Sequence, residues 1–166
     1  MQTQGTLIFF CGKMGSGKST RSRQISQELN AILISEDDWL SHLYPREIQT
    51  INDYIQYSRR LKSLLKNHLI SLLNAGLSVV MDFPANTKTQ RAWFQSLISD
   101  YSIPYRLIYL DVDDQTCLDQ IAKRRLEQPD RAQFDTETMF YEVTRFFEPP
   151  TADEGWVMEV IHHNQA

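Results

Sequence analysis

The run Gly12-Lys13-Met14-Gly15-Ser16-Gly17-Lys18-Ser19-Thr20 follows the apolar stretch Thr6 to Cys11 (TLIFFC) and precedes a polar segment with helical spacing. Gly12, Gly17, Lys18 and Ser19 satisfy G-x-x-x-x-G-K-[ST] in the strand, loop and helix context that the pattern needs. A glycine loop of this kind closes around an anion at a helix N-terminus and has a strand edge behind it. That unit belongs to parallel α/β sheets. With glycine at about 7% of residues, a chance match in a chain of this length is on the order of one in a hundred, before that context is demanded.

Each position has a physical task. Glycines let successive N–H groups converge on an anion, and the following helix adds the positive end of its dipole. Lys18 brings a mobile ammonium to the β and γ phosphates of a bound triphosphate, and the Ser19 hydroxyl is suited to Mg²⁺. The loop from Gly12 through Lys13, Met14, Gly15, Ser16, Gly17, Lys18 and Ser19 to Thr20 is therefore the expected nucleotide site, with a nucleoside triphosphate and Mg²⁺ as its ligands.

Along the chain, apolar runs of strand length alternate with helix-patterned segments, the signature of βαβ units. Strands are expected at Thr6–Cys11, Ala31–Ser35, Leu77–Asp82, Tyr105–Asp111 and Trp156–His162. Helices are expected from Lys18 to Leu29, Asn52 to Leu73, Thr87 to Asp100, Asp113 to Leu126 and Thr136 to Phe147. In the longest of these, Ile55, Leu61, Leu64, Leu65, Leu69, Leu72 and Leu73 mark an apolar face, with Arg59, Arg60, Lys62 and Lys66 opposite. The fold expected is a three-layer α/β/α sandwich around a five-stranded parallel sheet.

The 166 residues contain no Pro-, Gly- or Ser-rich linker, so residues 1–166 read as a single domain, expected to act as a monomer. No apolar run approaches the roughly 20 residues of a bilayer span, and MQTQGTLIFF lacks the basic start of a signal peptide, so a cytoplasmic protein is expected. A net charge of −4 argues against broad adhesion to nucleic acid or anionic membrane. Cys11 and Cys117 read as two buried thiols, and His42, His68, His162 and His163 show no metal-ligand spacing. Trp93 and Phe94 read as core packing.

Acidic and basic residues supply the candidate partners of the loop. The second strand ends in Glu36, Asp37 and Asp38, at the sheet edge where ligands of such folds bind. A carboxylate there can take the proton of a hydroxyl attacking the γ phosphate; capping of the next helix is the alternative. Asp82, ending the third strand, suits magnesium or a substrate contact. Lys123, Arg124, Arg125 and Arg131 cluster around Pro129, where a closing segment can neutralise a transferring phosphoryl group. Spacing does not choose among these arginines. The basic face of the long helix reads as solvated, or as a site for a phosphorylated or nucleotide substrate if it overhangs the cleft.

Taken in order, GKMGSGKST, a strand ending in S-E-D-D-W, a third strand running into D-F-P-A-N-T with Arg91-Ala92-Trp93 beyond it, and Y-L-D-V resemble the small P-loop kinases grouped with polynucleotide 5′-hydroxyl kinases, zeta toxins and chloramphenicol phosphotransferases. The F-F-E-P-P of Phe146 to Pro150 adds a likeness to bacterial AAA-type ATP-binding proteins of kinase-like form. The resemblance implies a sheet ordered 2-3-1-4-5 and phosphoryl transfer. It implies Asp37 as general base, Asp38, Asp82 and Asn86 on the substrate side, Arg124 or Arg125 as catalytic lid arginine, and Arg131 against the nucleotide. Leu40 stands where the polynucleotide kinases carry an arginine for the substrate's terminal phosphate.

The function expected is an ATP-dependent kinase acting on a hydroxyl of a small-molecule or nucleotide-like acceptor. A nucleotide-dependent switch binding a partner and a 5′-kinase on oligonucleotides are the alternatives. The missing N-K-x-D guanine motif counts against a GTPase-type switch, and the net charge with Leu40 counts against nucleic acid.

Overall fold

The computed structural model describes residues 3–163. Strands β1 (Leu7–Gly12), β2 (Ile32–Ser35), β3 (Val79–Pro84), β4 (Tyr105–Asp111) and β5 (Met158–His162) form one parallel sheet in the order β2-β3-β1-β4-β5. Helices α1 (Lys18–Glu28), α2 (Glu36–Leu43), α3 (Ile51–Asn74), α4 (Lys88–Tyr101), α5 (Asp114–Glu127) and α6 (Glu137–Thr144) connect the strands. The strand order is the one the resemblance implies.

Every residue of β1 is buried, as a central parallel strand covered on both faces requires. Leu7, Phe9 and Cys11 point into a core shared with Leu61, Leu65, Leu69 and Leu73 of α3 and Phe94 and Leu97 of α4. Ile8 and Phe10 point the other way, toward Cys117 and Ile121 of α5, Phe140 of α6 and Ile25 of α1. One apolar run thus feeds two cores, giving helices on both faces of the sheet.

Several expectations need correction. On α3 the four leucines spaced by one turn carry the packing, while Ile55 (45% exposed) and Leu64 (72%) lie outside that stripe. Glu36, Asp37 and Asp38 are not a strand tail: they form the first turn of α2, where Ser35 Oγ accepts the Asp38 N–H at 3.4 Å. Carboxylates are favoured there by the helix dipole. Strand β3 runs on to Pro84, so Asp82 lies within it, beside Ser35 at the end of β2. Helix α6 stops at Thr144, and Phe147 stacks on Tyr109 instead. Phe94 packs flat on Phe9 at 4.1 Å, as core, but Trp93 is half-buried and lines the cleft.

The segment before β5 is tied down by Arg91, a 1% exposed guanidinium forked onto Glu154 at 2.7 and 3.1 Å and donating to the Ala85 carbonyl at 3.0 Å. That fork holds the Glu154 carboxyl at about 2. Cys11 and Cys117 are buried free thiols, each pushed by burial up to about 11. Among the described residues no helix is long and apolar enough to cross a membrane.

Candidate functional site

The loop between β1 and α1 can be built from its glycines. Gly15 has φ +79°, and a Cβ there would meet the Cys117 carbonyl oxygen at 2.6 Å; Gly17, with φ +99°, starts α1 in a left-handed conformation that L side chains resist. The first turn of α1 has neither a side-chain cap nor an acidic residue. Ser35, Thr50, Thr87, Asp113 and Thr136 cap α2, α3, α4, α5 and α6 in turn. Only α1, among the described helices, leaves its first N–H groups to an external anion. A triphosphate therefore fits this loop.

Around that helix end the polar side chains interlock. Lys18 Nζ donates back to the Gly12 carbonyl, and burial lowers its pKa against the pull of Asp82 and Asp37. Ser19 Oγ donates to Asp82 Oδ2 at 2.8 Å. Burial raises the Asp82 carboxyl, which Ser19 and Lys18 partly offset. A hydroxyl and a carboxylate side by side at a phosphate loop form an oxygen donor set suited to Mg²⁺. Lys13 pairs with Asp114 at 2.7 Å and its ammonium lies 5.7 Å from the Phe147 ring centre. Asn86 Oδ1 accepts the Gly12 N–H at 2.9 Å, so this residue fastens the start of the loop to the end of β3. Met14 packs against the second core and Thr20 is exposed.

Facing the loop across one cleft is the first turn of α2. Asp37 and Asp38 are exposed and line the cleft with Lys18, Ser19 and Asp82. Glu36 is tied into the wall behind them. It is 2% exposed, takes the Ser58 hydroxyl at 2.6 Å and the Tyr54 hydroxyl, and burial raises its pKa. It anchors α2 to α3. Neither partner is legible from the E-D-D run, because both lie on a different helix.

The arginines separate. Arg124 forks onto Asp135 at 2.6 and 2.9 Å, and Arg131 reaches the same carboxylate at 3.3 Å. Asp135 is itself 1% exposed. Arg124 and Arg131 line the cleft, whereas Arg125 is exposed and outside its walls. Asp135 escaped the sequence reading; a lone aspartate in a turn-rich segment carries no signal until Arg124 is known to fold back on it.

The chain is similar to proteins of several kinds. An adenylate kinase from Chlamydia trachomatis is 24% identical over 144 residues, 75% of this chain, and the chain spans only 59% of that relative's length. The Mycobacterium tuberculosis APS kinase CysC, solved with AMPPNP and APS, superposes with a TM-score of 0.65 at 20% identity, over 99% of this chain and 91% of that one. Chaetomium thermophilum Kti12, solved with ADP-AlF3, superposes with a TM-score of 0.68 at 17% identity, over 95% and 89%. The fold is of the kinase-like P-loop NTPase type. A profile described as an AAA domain matches residues 7–150, from the first strand to the segment after α6, and the chain belongs to that family.

Proposed function

We propose that the chain transfers the γ-phosphoryl group of ATP to a hydroxyl of a small-molecule or nucleotide-like acceptor. The observation that carries this reading is the single cleft in which an uncapped helix start with Lys18 faces the exposed carboxylate of Asp37. A phosphate-binding wall opposite an exposed proton acceptor is what transfer to an alcohol needs.

The Gly12 to Thr20 loop and Arg131 hold the nucleotide. Ser19 and Asp82 would hold magnesium, which supplies charge neutralisation at the phosphate oxygens. The acceptor oxygen bonds to the γ phosphorus as the bond to the β–γ bridging oxygen breaks; its proton passes to Asp37, and ADP leaves. Arg124, in the cleft wall where Arg125 is not, offsets charge on the transferring group. Asp38 and Asn86 lie on the acceptor side of the loop.

The direct test is incubation with γ-labelled ATP and a metabolite extract, followed by identification of the labelled product. With the acceptor known, Asp37→Asn is expected to lower transfer by roughly 10²–10⁴-fold while nucleotide affinity stays close to wild type. An equal loss of both would make Asp37 a structural residue and remove the proposed base.

A further inference from the structure

The acceptor wall of the cleft carries charge that the donor chemistry does not use. Along α3, Arg59, Lys62, Ser63 and Lys66 recur at three- and four-residue intervals, which places them on one helix face, and all line the cleft. Arg60, between them, lies outside the cleft with its guanidinium 5.2 Å from the Tyr57 ring centre. The exposure pattern is the reverse of a solvated helix face: Lys62 and Lys66 are half-buried while Leu64 is 72% exposed. Packing has turned the lysines toward the cavity and the leucine toward water.

Among the described residues, none of Arg59, Lys62 and Lys66 is held in an ion pair with a carboxylate. Lys62 lies 5.6 Å from the Trp93 ring centre and feels Glu36, whose oxygens are taken by Tyr54 and Ser58. The one acid on α3, Asp53, is spent in the capping box at the helix start, and Thr89, Gln90 and Trp93, the α4 residues across the cleft, are uncharged. Leu40, buried in the core, offers nothing to an anion.

The stripe is also at a defined distance from the reacting centre. Ser58 meets Glu36, so the α2 turn that carries Asp37 stands level with Ser58. At 1.5 Å per residue, Lys62 lies about 6 Å and Lys66 about 12 Å farther along α3. Two half-buried ammoniums and a guanidinium suit a doubly charged phosphate better than a single carboxylate.

We infer that the α3 wall formed by Arg59, Lys62 and Lys66 is an anion subsite for the acceptor, which is a small hydroxyl compound bearing a phosphomonoester about 6–12 Å from the hydroxyl presented to Asp37. The inference rests on the phosphotransfer reading above. It narrows the acceptor from alcohols in general to sugar phosphates or nucleoside monophosphates.

Calorimetry on the whole protein, first loaded with Mg·AMPPNP so that the donor loop is filled, tests it with four probes: inorganic phosphate, glucose 6-phosphate, glucose, and a short oligonucleotide with a 5′-hydroxyl. Phosphate and glucose 6-phosphate are expected to bind the loaded protein, and glucose is not. The paired change Lys62→Gln with Lys66→Gln is expected to weaken phosphate binding roughly tenfold or more, with AMPPNP affinity retained. Arg59→Gln, at an exposed position without a partner, should weaken it in the same direction without disturbing the fold. Undiminished phosphate binding in these variants, no anion binding to the loaded protein, or binding of the oligonucleotide alone would each overturn the subsite and leave the donor reading standing. Failure of AMPPNP itself to bind would overturn the phosphotransfer reading, and the subsite with it.

Discussion

The two walls of the cleft are built in opposite ways. The donor wall is one contiguous loop with four of its polar groups already fastened: Gly12 to Asn86, Ser19 to Asp82, Lys18 to the Gly12 carbonyl, Lys13 to Asp114. The acceptor wall is assembled from α2, α3 and α4: at its rear Glu36 meets Tyr54 and Ser58, while among the described residues Arg59 and Lys66 line the cleft without a carboxylate at ion-pair distance. Preorganised dipoles and charges suit a ligand that is the same in every cycle. The difference teaches where specificity is encoded, and each variant below acts on one wall.

The largest effect belongs to the donor wall. Replacing Lys18 with Met keeps length and apolar contact but removes the ammonium, so nucleotide affinity and transfer should fall together, transfer by roughly 10³-fold. The melting temperature without nucleotide should hold or rise, because burial already disfavours the charged form of this lysine. Titration with ATP and a thermal melt separate the two. A variant that binds ATP normally would break the contrast, since the fastened loop would then not be the donor wall.

The walls were unequally legible in the sequence for a physical reason. A phosphate loop is read from contiguous residues because backbone amides suit an anion, and strand ends are placed by the same βα rhythm, so Lys18, Ser19, Asp37 and Asp82 are legible as candidates, and the structure brings them into one cleft. Helix α2 is hard to read from the sequence because only eight residues separate its cap from Tyr44, too few for helical periodicity to show. The hydrogen bond from the Gly12 N–H to the Asn86 side-chain oxygen is not legible in the sequence, because it depends on the register of β1 against β3. Periodicity alone does not say whether the α3 cations face water or cavity, since that turns on which leucines pack; the stripe through Leu61, Leu65, Leu69 and Leu73 excludes Leu64 and leaves Lys62 and Lys66 half-buried.

A middle-sized effect is expected at the Arg124–Asp135–Arg131 cluster. Asp135 is the common anchor of Arg124 and Arg131, whose side chains are 28% and 35% exposed. In Asp135→Asn one charge-assisted fork is lost and both guanidiniums gain freedom, so transfer should drop roughly tenfold, with a stability loss of about 1–3 kcal/mol. The KM for ATP should change less than kcat if Asp135 positions Arg124 over the transferring group. A change confined to KM would move Asp135 to the nucleotide side and erase its part in the contrast between the walls.

The smallest effect tests the fastened rear of the acceptor wall. Burial raises the Glu36 pKa above the 4.5 of an ordinary glutamate, with the Ser58 and Tyr54 hydrogen bonds opposing. Below the unfolded value both states are protonated and the contribution to stability is full; as pH rises through the higher folded value, the folded state loses a proton it held more tightly, and that contribution is lost. Glu36→Gln has no such proton to lose, and the hydroxyls of Ser58 and Tyr54 can turn to donate to or accept from an amide. The melting temperature of the variant relative to wild type should therefore climb as pH increases above the ordinary glutamate range and then level off, the difference at neutral pH staying within about 1 kcal/mol. Glu36→Ala, which strips both hydroxyls of their acceptor, should cost about 1–3 kcal/mol at every pH. Parallel melting curves for wild type and Glu36→Gln would mean that Glu36 titrates as a solvated carboxyl, and that α2, with Asp37 on its outer face, is held to α3 by something other than a buried acid.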